Sequence, residues 1–237
     1  VLIRILSDIH GNAEALSAVL DDEAGRKAEA TLCLGDVVGY GAEPSACIAA
    51  VREACDLVVM GNHDSGASGL LPDDNFNIPG AAAIEWTRGV LTMGEKEWLR
   101  GLQIDEVFAG SFYICHSDPS NPESWNYIMN PAEAISACVS HPGRTCLIGH
   151  THLACAWTSS GGFTESPEGC LGDHSLINCG SVGQPRDRDP DAAYLLVDTD
   201  AGTWSHRRVH YDIDSAADKI RRAGLPDVLW QRLYGGR

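Results

Sequence analysis

The sequence predicts a chain of the α/β (α+β) class, with strand–helix units first and antiparallel hairpins later. Two observations carry that expectation. Between Val1 and Asp64, short apolar runs alternate with amphipathic stretches, and each apolar run stops at polar and glycine residues. Beyond Leu153 the helical spacing gives way to short strand-like runs joined by glycine-rich turns. With 237 residues the chain can bury a core without disulfide staples. We expect one domain over residues 1–237.

Taken in order, Val1–Leu6 is a first strand that ends in Ser7-Asp8-Ile9-His10-Gly11-Asn12. Ala13–Lys27 places Leu16, Val19 and Leu20 at helical spacing, with Asn12 as N-cap. Thr31–Leu34 is a second strand ending at Gly35-Asp36, and Pro44–Ala54 is a second helix. Leu57–Met60 is a third strand, stopping at Gly61-Asn62-His63-Asp64. Three polar clusters thus follow three strands, at the carboxyl edge where open α/β sheets place their sites.

Ser65–Pro79 is rich in Gly, Asp, Asn and Pro and predicts a long loop. Ala81–Leu91 and Glu95–Leu102 are helical, with Trp86 and Trp98 facing inward. Glu106–Cys115 is a strand followed directly by His116. Ser117–Pro131 is a second irregular loop, carrying Trp125 and Tyr127. Ala132–Val139 is a helix, and Thr145–Ile148 is a strand before Gly149-His150-Thr151-His152. The second half offers strands at Leu153–Thr158, Phe163–Glu165, Ser175–Asn178, Ala193–Asp198 and Thr203–Tyr211, with a hairpin turn at Asp200-Ala201-Gly202. Ser215–Ala223 and Asp227–Tyr234 close the chain as helices. There is no internal repeat, low-complexity tract or clear linker.

Composition excludes several functions. Lys and Arg number 17 against 33 Asp and Glu, a net charge of −16. Such a surface repels polyanions, which argues against binding a nucleic-acid duplex. The acids are scattered, so most of them serve solubility. Nine cysteines contain no C-x-x-C pair, which argues against a zinc ribbon. Cys33, Cys115, Cys146 and Cys179 sit in apolar runs and read as small buried residues. Residues 1–6 lack the basic and apolar regions of a signal peptide, and no run is long enough for a membrane span. We expect a cytoplasmic protein, with no membrane partner and with the oligomeric state open.

Five clusters at strand ends carry the chemistry: Asp8-x-His10, Gly35-Asp36-x-x-Gly39, Gly61-Asn62-His63-Asp64, His116 and Gly149-His150-x-His152. Imidazole with carboxylate is the ligand set of Zn, Mn and Fe sites. Simpler roles exist for each residue taken singly. Asp8 and Asp36 fit helix N-caps, and Asn62 fits a turn. His141, His174, His206 and His210, which stand alone, are read as structural. Arg186 and Arg188, flanked by Asp187 and Asp189, fit a solvated loop as well as a phosphate clamp. Trp125 and Tyr127 fit loop packing, with a nucleobase contact as the alternative. The two dyads and two strand-end histidines together have no such simple account.

The ordered set over residues 8–152 resembles the calcineurin-like metallophosphoesterase superfamily, whose pattern is D-x-H, G-D-x-x-G, G-N-H-[DE], H, G-H-x-H. The resemblance implies a four-layer α-β-β-α sandwich of two mixed sheets flanked by helices. It implies two divalent metal ions, Mn2+ foremost, with Fe, Zn, Ni or Co also suited. One would be held by Asp8, His10, Asp36 and His152, the other by Asp36, Asn62, His116 and His150, with Asp36 bridging. A hydroxide shared by the metals would attack phosphorus. His63 would protonate or stabilise the leaving oxygen, with Asp64 orienting its ring. Asn12 and Arg186 or Arg188 would contact the phosphate.

Asp8–Asn12 and Gly180-Ser181-Val182-Gly183-Gln184-Pro185-Arg186 resemble the small prokaryotic phosphodiesterase branch, which includes diadenosine-tetraphosphatase-like hydrolases. Two positions depart from that pattern: His116-Ser117 where the branch often has His-Gly, and Asn178-Cys179-Gly180-Ser181 where it often has Asn-Pro-Gly-Ser. No Arg closely follows Gly61–Asp64, which weakens the comparison with Ser/Thr protein phosphatases. The expected function is a metal-dependent phosphodiesterase acting on a small nucleotide or related phosphate ester. The alternatives are a phosphomonoesterase or phosphoprotein phosphatase, separable by kcat/KM on monoester and diester, and a non-catalytic protein-binding scaffold, which would purify without metal.

Overall fold

The computed structural model describes residues 1–158, 162–172 and 175–237. Strands are β1 (Leu2–Leu6), β2 (Ala30–Cys33), β3 (Leu57–Val58), β4 (Asp105–Phe108), β5 (Phe112–Cys115), β6 (Thr145–Ile148), β7 (Ala154–Thr158), β8 (Gly162–Thr164), β9 (Glu168–Cys170), β10 (Leu176–Cys179), β11 (Ala192–Asp198) and β12 (Thr203–Val209). Helices are α1 (Ala13–Asp21), α2 (Pro44–Ala54), α3 (Asn62–Ser68), α4 (Ile78–Val90), α5 (Met93–Arg100), α6 (Pro131–Ser140), α7 (Ile213–Arg222) and α8 (Asp227–Gly235). His174 lies outside the described residues.

The strands form two six-stranded mixed sheets, ordered β3-β2-β1-β11-β12-β9 and β4-β5-β6-β10-β7-β8. In the first, β1, β2 and β3 run parallel and β11 returns antiparallel to β1, pairing Ile3 with Val197. In the second, β5, β6 and β10 are parallel, and β4, β7 and β8 are antiparallel additions.

The pleat sorts side chains between layers, because alternate residues point to opposite faces. Ile3, Ile5, Leu195 and Val197 from one sheet meet Phe112, Ile114, Leu147 and Ile177 from the other in a shared core. On the outer face of the first sheet, Leu6, Cys33, Tyr194 and Leu196 pack against Leu16, Ile48, Ile220 and Leu229 of the helices. On the outer face of the second, Tyr113, Cys115 and Cys146 meet Ala134, Ala137 and Cys138 of α6. The four layers follow directly, as the resemblance implied. All nine cysteines are free, and no described helix is long and apolar enough to cross a membrane.

Three local expectations need correction. The stretch 65–79 is not one loop, because its first residues complete α3. That helix starts where the Asp64 carboxylate accepts the Gly61 N–H at 3.0 Å. Every one of its residues is buried, so it lacks the two-faced pattern that marks a helix in sequence. The segment 106–115 is a hairpin rather than one strand, turned by Ala109 (φ 50°) and Gly110 (φ 73°). The first helix ends at Asp21 rather than Lys27, with a separate 3-10 turn at Gly25–Lys27.

Candidate metal centre

The loops after β1 and β2 lie side by side. Asp8 N–H donates to Gly35 O at 3.0 Å, and His10 N–H to Asp36 O at 2.9 Å. To present their side chains, Asp8 (φ 53°), His10 (51°), Asp36 (53°), His150 (67°) and His152 (61°) all adopt left-handed backbone. For residues with a Cβ this conformation is strained by about 1 kcal/mol or more each, and packing must hold it. Two glycines make room for the carboxylates. A Cβ on Gly149 would collide with Asp8 Oδ2, and one on Gly61 with Asp36 Oδ1.

The side chains from the five clusters converge. Asp8 Oδ1 lies 3.2 Å from His152 Nε2, 3.7 Å from His10 Nε2 and 3.9 Å from His116 Nε2. Asp36 Oδ2 lies 3.3 Å from His116 Nε2 and 3.6 Å from His10 Nε2, so it faces both sides of the cluster. Three sets of ligand atoms are close enough to hold an ion: Asp8, His10 and His152; Asp36, His116 and His150; and His10, Asp36 and His63. All of these residues are buried.

The imidazoles test whether cations fit. Each of the four dyad and strand-end histidines turns one nitrogen outward to a backbone carbonyl. His10 Nδ1 meets Val38 O at 3.1 Å, His116 Nδ1 meets Leu34 O at 2.8 Å, His152 Nδ1 meets Gln184 O at 2.6 Å, and His150 Nε2 meets Trp125 O at 2.9 Å. A carbonyl only accepts, so each outward nitrogen carries the proton. In a neutral ring the inward nitrogen is then a bare lone pair. These inward nitrogens face each other at 3.1 Å (His10 and His152) and 3.2 Å (His116 and His150). Two neutral rings so placed repel unless a cation lies nearby, and in the His116/His150 couple a proton on His116 takes that place when metal is absent. Asp8 Oδ1 and Asn62 Oδ1 add buried oxygens without a hydrogen-bond partner among the described residues. The residues present fit divalent cations.

Electrostatics points the same way. Burial pushes the Asp8 and Asp36 carboxyls up, but the adjacent histidines, His152 and His116 for Asp8, His116 and His63 for Asp36, outweigh it and hold both below the usual range. Burial pulls His63 down to about 3 and His150 to about 4, and pulls His152 well below its ordinary value. His116 also loses hydration, but Asp36 and Asp8 raise it to about 9. Without metal His116 therefore stays protonated between two carboxylates. His63, His150 and His152 are neutral, the state in which a histidine ligates.

Not every predicted role matches its geometry. Asp64 does not orient the His63 ring: its two oxygens accept N–H groups of Gly61 at 3.0 Å and Val38 at 3.2 Å. Burial, with the charge of Asp36 second, raises this carboxyl to about 7. The His63 ring is held instead by packing, 4.4 Å from Tyr40 and 5.0 Å from Phe76 between centroids, over Gly39. Its backbone N–H donates to Asp36 Oδ1 at 2.8 Å. Asn12 caps α1 through Ala15 N–H at 3.1 Å and donates to Gly183 O at 2.9 Å, so its amide is engaged by backbone. Arg186 reaches the cluster, and its charge depresses His152 and His63. Arg188 is exposed, with its N–H donating to Gly236 O. Sequence reasoning missed Tyr40, which packs 4.5 Å from His10 in left-handed backbone (φ 56°). Its place directly after the Gly39 of the second cluster was the available signal.

Known proteins resemble this chain in sequence and fold. Residues 1–202 match the calcineurin-like phosphoesterase superfamily domain. An uncharacterised protein of Methanocaldococcus jannaschii is 38% identical over 250 residues, covering 100% of this chain and 98% of its own. The crystal structure of a metallophosphoesterase from Sphaerobacter thermophilus superposes with a TM-score of 0.88 at 33% identity, covering 100% of this chain and 99% of that one. A hypothetical protein from Pyrococcus horikoshii shares the fold, with a TM-score of 0.82 at 22% identity over 100% and 98% of the two chains. From its ordered ligand clusters, its two-sheet sandwich and these matches, the chain belongs to the calcineurin-like phosphoesterase superfamily of metal-dependent hydrolases.

Proposed function

We propose that this chain is a binuclear metal-dependent phosphodiesterase acting on a small nucleotide or related phosphate ester. The observation that carries the reading is the pair of facing imidazole couples, His10 with His152 and His116 with His150, set around the shared Asp36 carboxylate. Asp8, His10, Asp36 and His152 would hold one cation, and Asp36, Asn62, His116 and His150 the other. When bound, two divalent cations supply an activated water nucleophile and neutralise charge on the phosphate. We expect Mn2+, and Fe, Zn, Ni or Co suit the same nitrogen and oxygen donors.

The chain's own residues supply the rest. His63, kept neutral by burial, donates an N–H hydrogen bond to the leaving oxygen and stabilises its charge. Asp64 fixes the start of α3 and so the place of Asn62 and His63. Asn12 ties the first loop to the 180–186 segment, which carries Arg186 towards the phosphate. The diester preference rests on the resemblance of Asp8–Asn12 and Gly180–Arg186 to the small phosphodiesterase branch. The free state of all nine cysteines supports a reducing, cytoplasmic setting.

The test is metal content of the purified protein, together with hydrolysis of bis-p-nitrophenyl phosphate and p-nitrophenyl phosphate with and without manganese. About two metals per chain and a higher kcat/KM for the diester are expected. A strong monoester preference would overturn the diester assignment. Folded, metal-reloaded protein that hydrolyses neither these esters nor any nucleotide would overturn the enzyme.

A further inference from the structure

The chain has almost twice as many acids as bases, and five of its arginines pair with carboxylates. Arg208 pairs with Asp187 and Asp189, Arg88 with Asp73, Arg26 with Asp21, and Arg221 and Arg222 with Asp218. Arg186 is different. Among the described residues no carboxylate lies at ion-pair distance from it, and its side-chain hydrogen bonds go to neutral groups, Gln184 Oε1 at 3.1 Å and the Tyr40 and Tyr127 phenols. Its Nε is buried without an acceptor among the described residues. A half-buried guanidinium with unused donors is costly unless an anion meets it.

Two phenols flank this cation. The Arg186 guanidinium lies 5.7 Å over the ring of Tyr40, which itself packs against His10 and His63. On the other side, Tyr127 stacks on His150, with centroids 4.1 Å apart and planes at 14°. Tyr127 is fixed to the cluster at both ends: the Trp125 carbonyl accepts from His150, and Ile128 is buried against α6. The Arg186 guanidinium lies within hydrogen-bonding reach of both phenols, each of which carries an O–H of its own. Two phenol O–H groups and a guanidinium therefore border the cluster from the His10/His63 side to the His150 side. All three can donate to an oxyanion, and the Arg186 guanidinium has no competing acid.

We propose that Tyr40, Arg186 and Tyr127 form a clamp that grips the non-bridging oxygens of the phosphate ester. The inference rests on the phosphoesterase reading above and names the groups that bind its substrate. Tyr127, half-exposed at the rim, is the member that meets the ester first.

The test is calorimetric titration of inorganic phosphate into manganese-loaded wild type, Tyr127→Phe and Arg186→Gln, with metal content measured on the same samples and KM for bis-p-nitrophenyl phosphate alongside. At unchanged metal content, we expect phosphate affinity and KM to worsen about threefold to tenfold in Tyr127→Phe, and about tenfold to a hundredfold in Arg186→Gln. Unchanged phosphate affinity in both variants overturns the clamp. Wild type that binds phosphate but hydrolyses no ester overturns the phosphoesterase reading and leaves the clamp standing. Wild type that carries metal but binds no phosphate overturns both.

Discussion

The two sides of the cluster are built differently. On one side, His10 and His152 rest their outer nitrogens on Val38 O and Gln184 O, both in buried segments, and Asp8 closes the set. On the other, His116 rests on Leu34 O in the core, but His150 rests on Trp125 O in the rim loop, beneath the half-exposed Tyr127. One side is fixed by packed backbone, and the other depends partly on a surface loop. Preorganised ligands bind metal more tightly, because less ordering entropy is lost on binding. The difference teaches that a nearly symmetric ligand list can still be built on two unequal sides. Asp36 Oδ2 faces both.

The largest effect is expected where the two sides meet. Asp36→Ala removes the shared carboxylate and the acceptor of the His63 N–H. It should lose metal from both sides and turnover by about three orders of magnitude or more. Metal analysis that finds one ion retained would break the idea of a shared ligand. Next comes His63→Ala, which spares the two proposed ligand sets although its ring nitrogen lies within reach of His10 and Asp36: metals should stay while turnover of a poor leaving group falls about 10²–10⁴-fold. Full activity towards such a substrate would remove His63 from the reaction.

The comparison itself is sharpened by chelator titration, which should strip the His116/His150 side first. His150→Asn should weaken one metal site about 10–100-fold and leave the other intact, whereas His152→Asn should weaken the tighter one. Equal loss from both sites in either variant would erase the asymmetry. The smallest effect is a pH dependence. Metal-free, the His116 ring is raised from 6.5 to about 9 by Asp36 and Asp8, against the pull of burial. That raised group adds stability that is fully present below pH 6.5 and fades as pH rises through about 9. The chelated protein should melt lower across that window, by about 2–4 °C for each kcal/mol lost, while the metal-loaded protein changes less. Chelated protein that melts higher at pH 9 than at pH 6.5 would contradict the protonated imidazole.

Much of this molecule is local and therefore legible. Helix Pro44–Ala54 and strand Thr145–Ile148 coincide with their predicted limits, because proline at the start and clean apolar patterning define them. The ligand types are equally legible, because each cluster lies within a few residues after a strand. What failed has a common cause. Helix α3 is buried on every side and carries no periodic signal. Asp64 beside His63 in sequence suggested a dyad, but its oxygens were taken by the backbone of Gly61 and Val38.

The sequence by itself determined the order of the elements, the residues offered to a metal and the family they belong to, since these follow from short-range spacing and residue chemistry. Only the tertiary structure decided which nitrogens face inward, that His63 is held by Tyr40 and Phe76, and that Arg186 stands without an acid between two phenols. Those contacts join residues 13 to more than 140 positions apart. No local rule reaches across that separation, because the packing of two sheets and their loops sets which side chains meet.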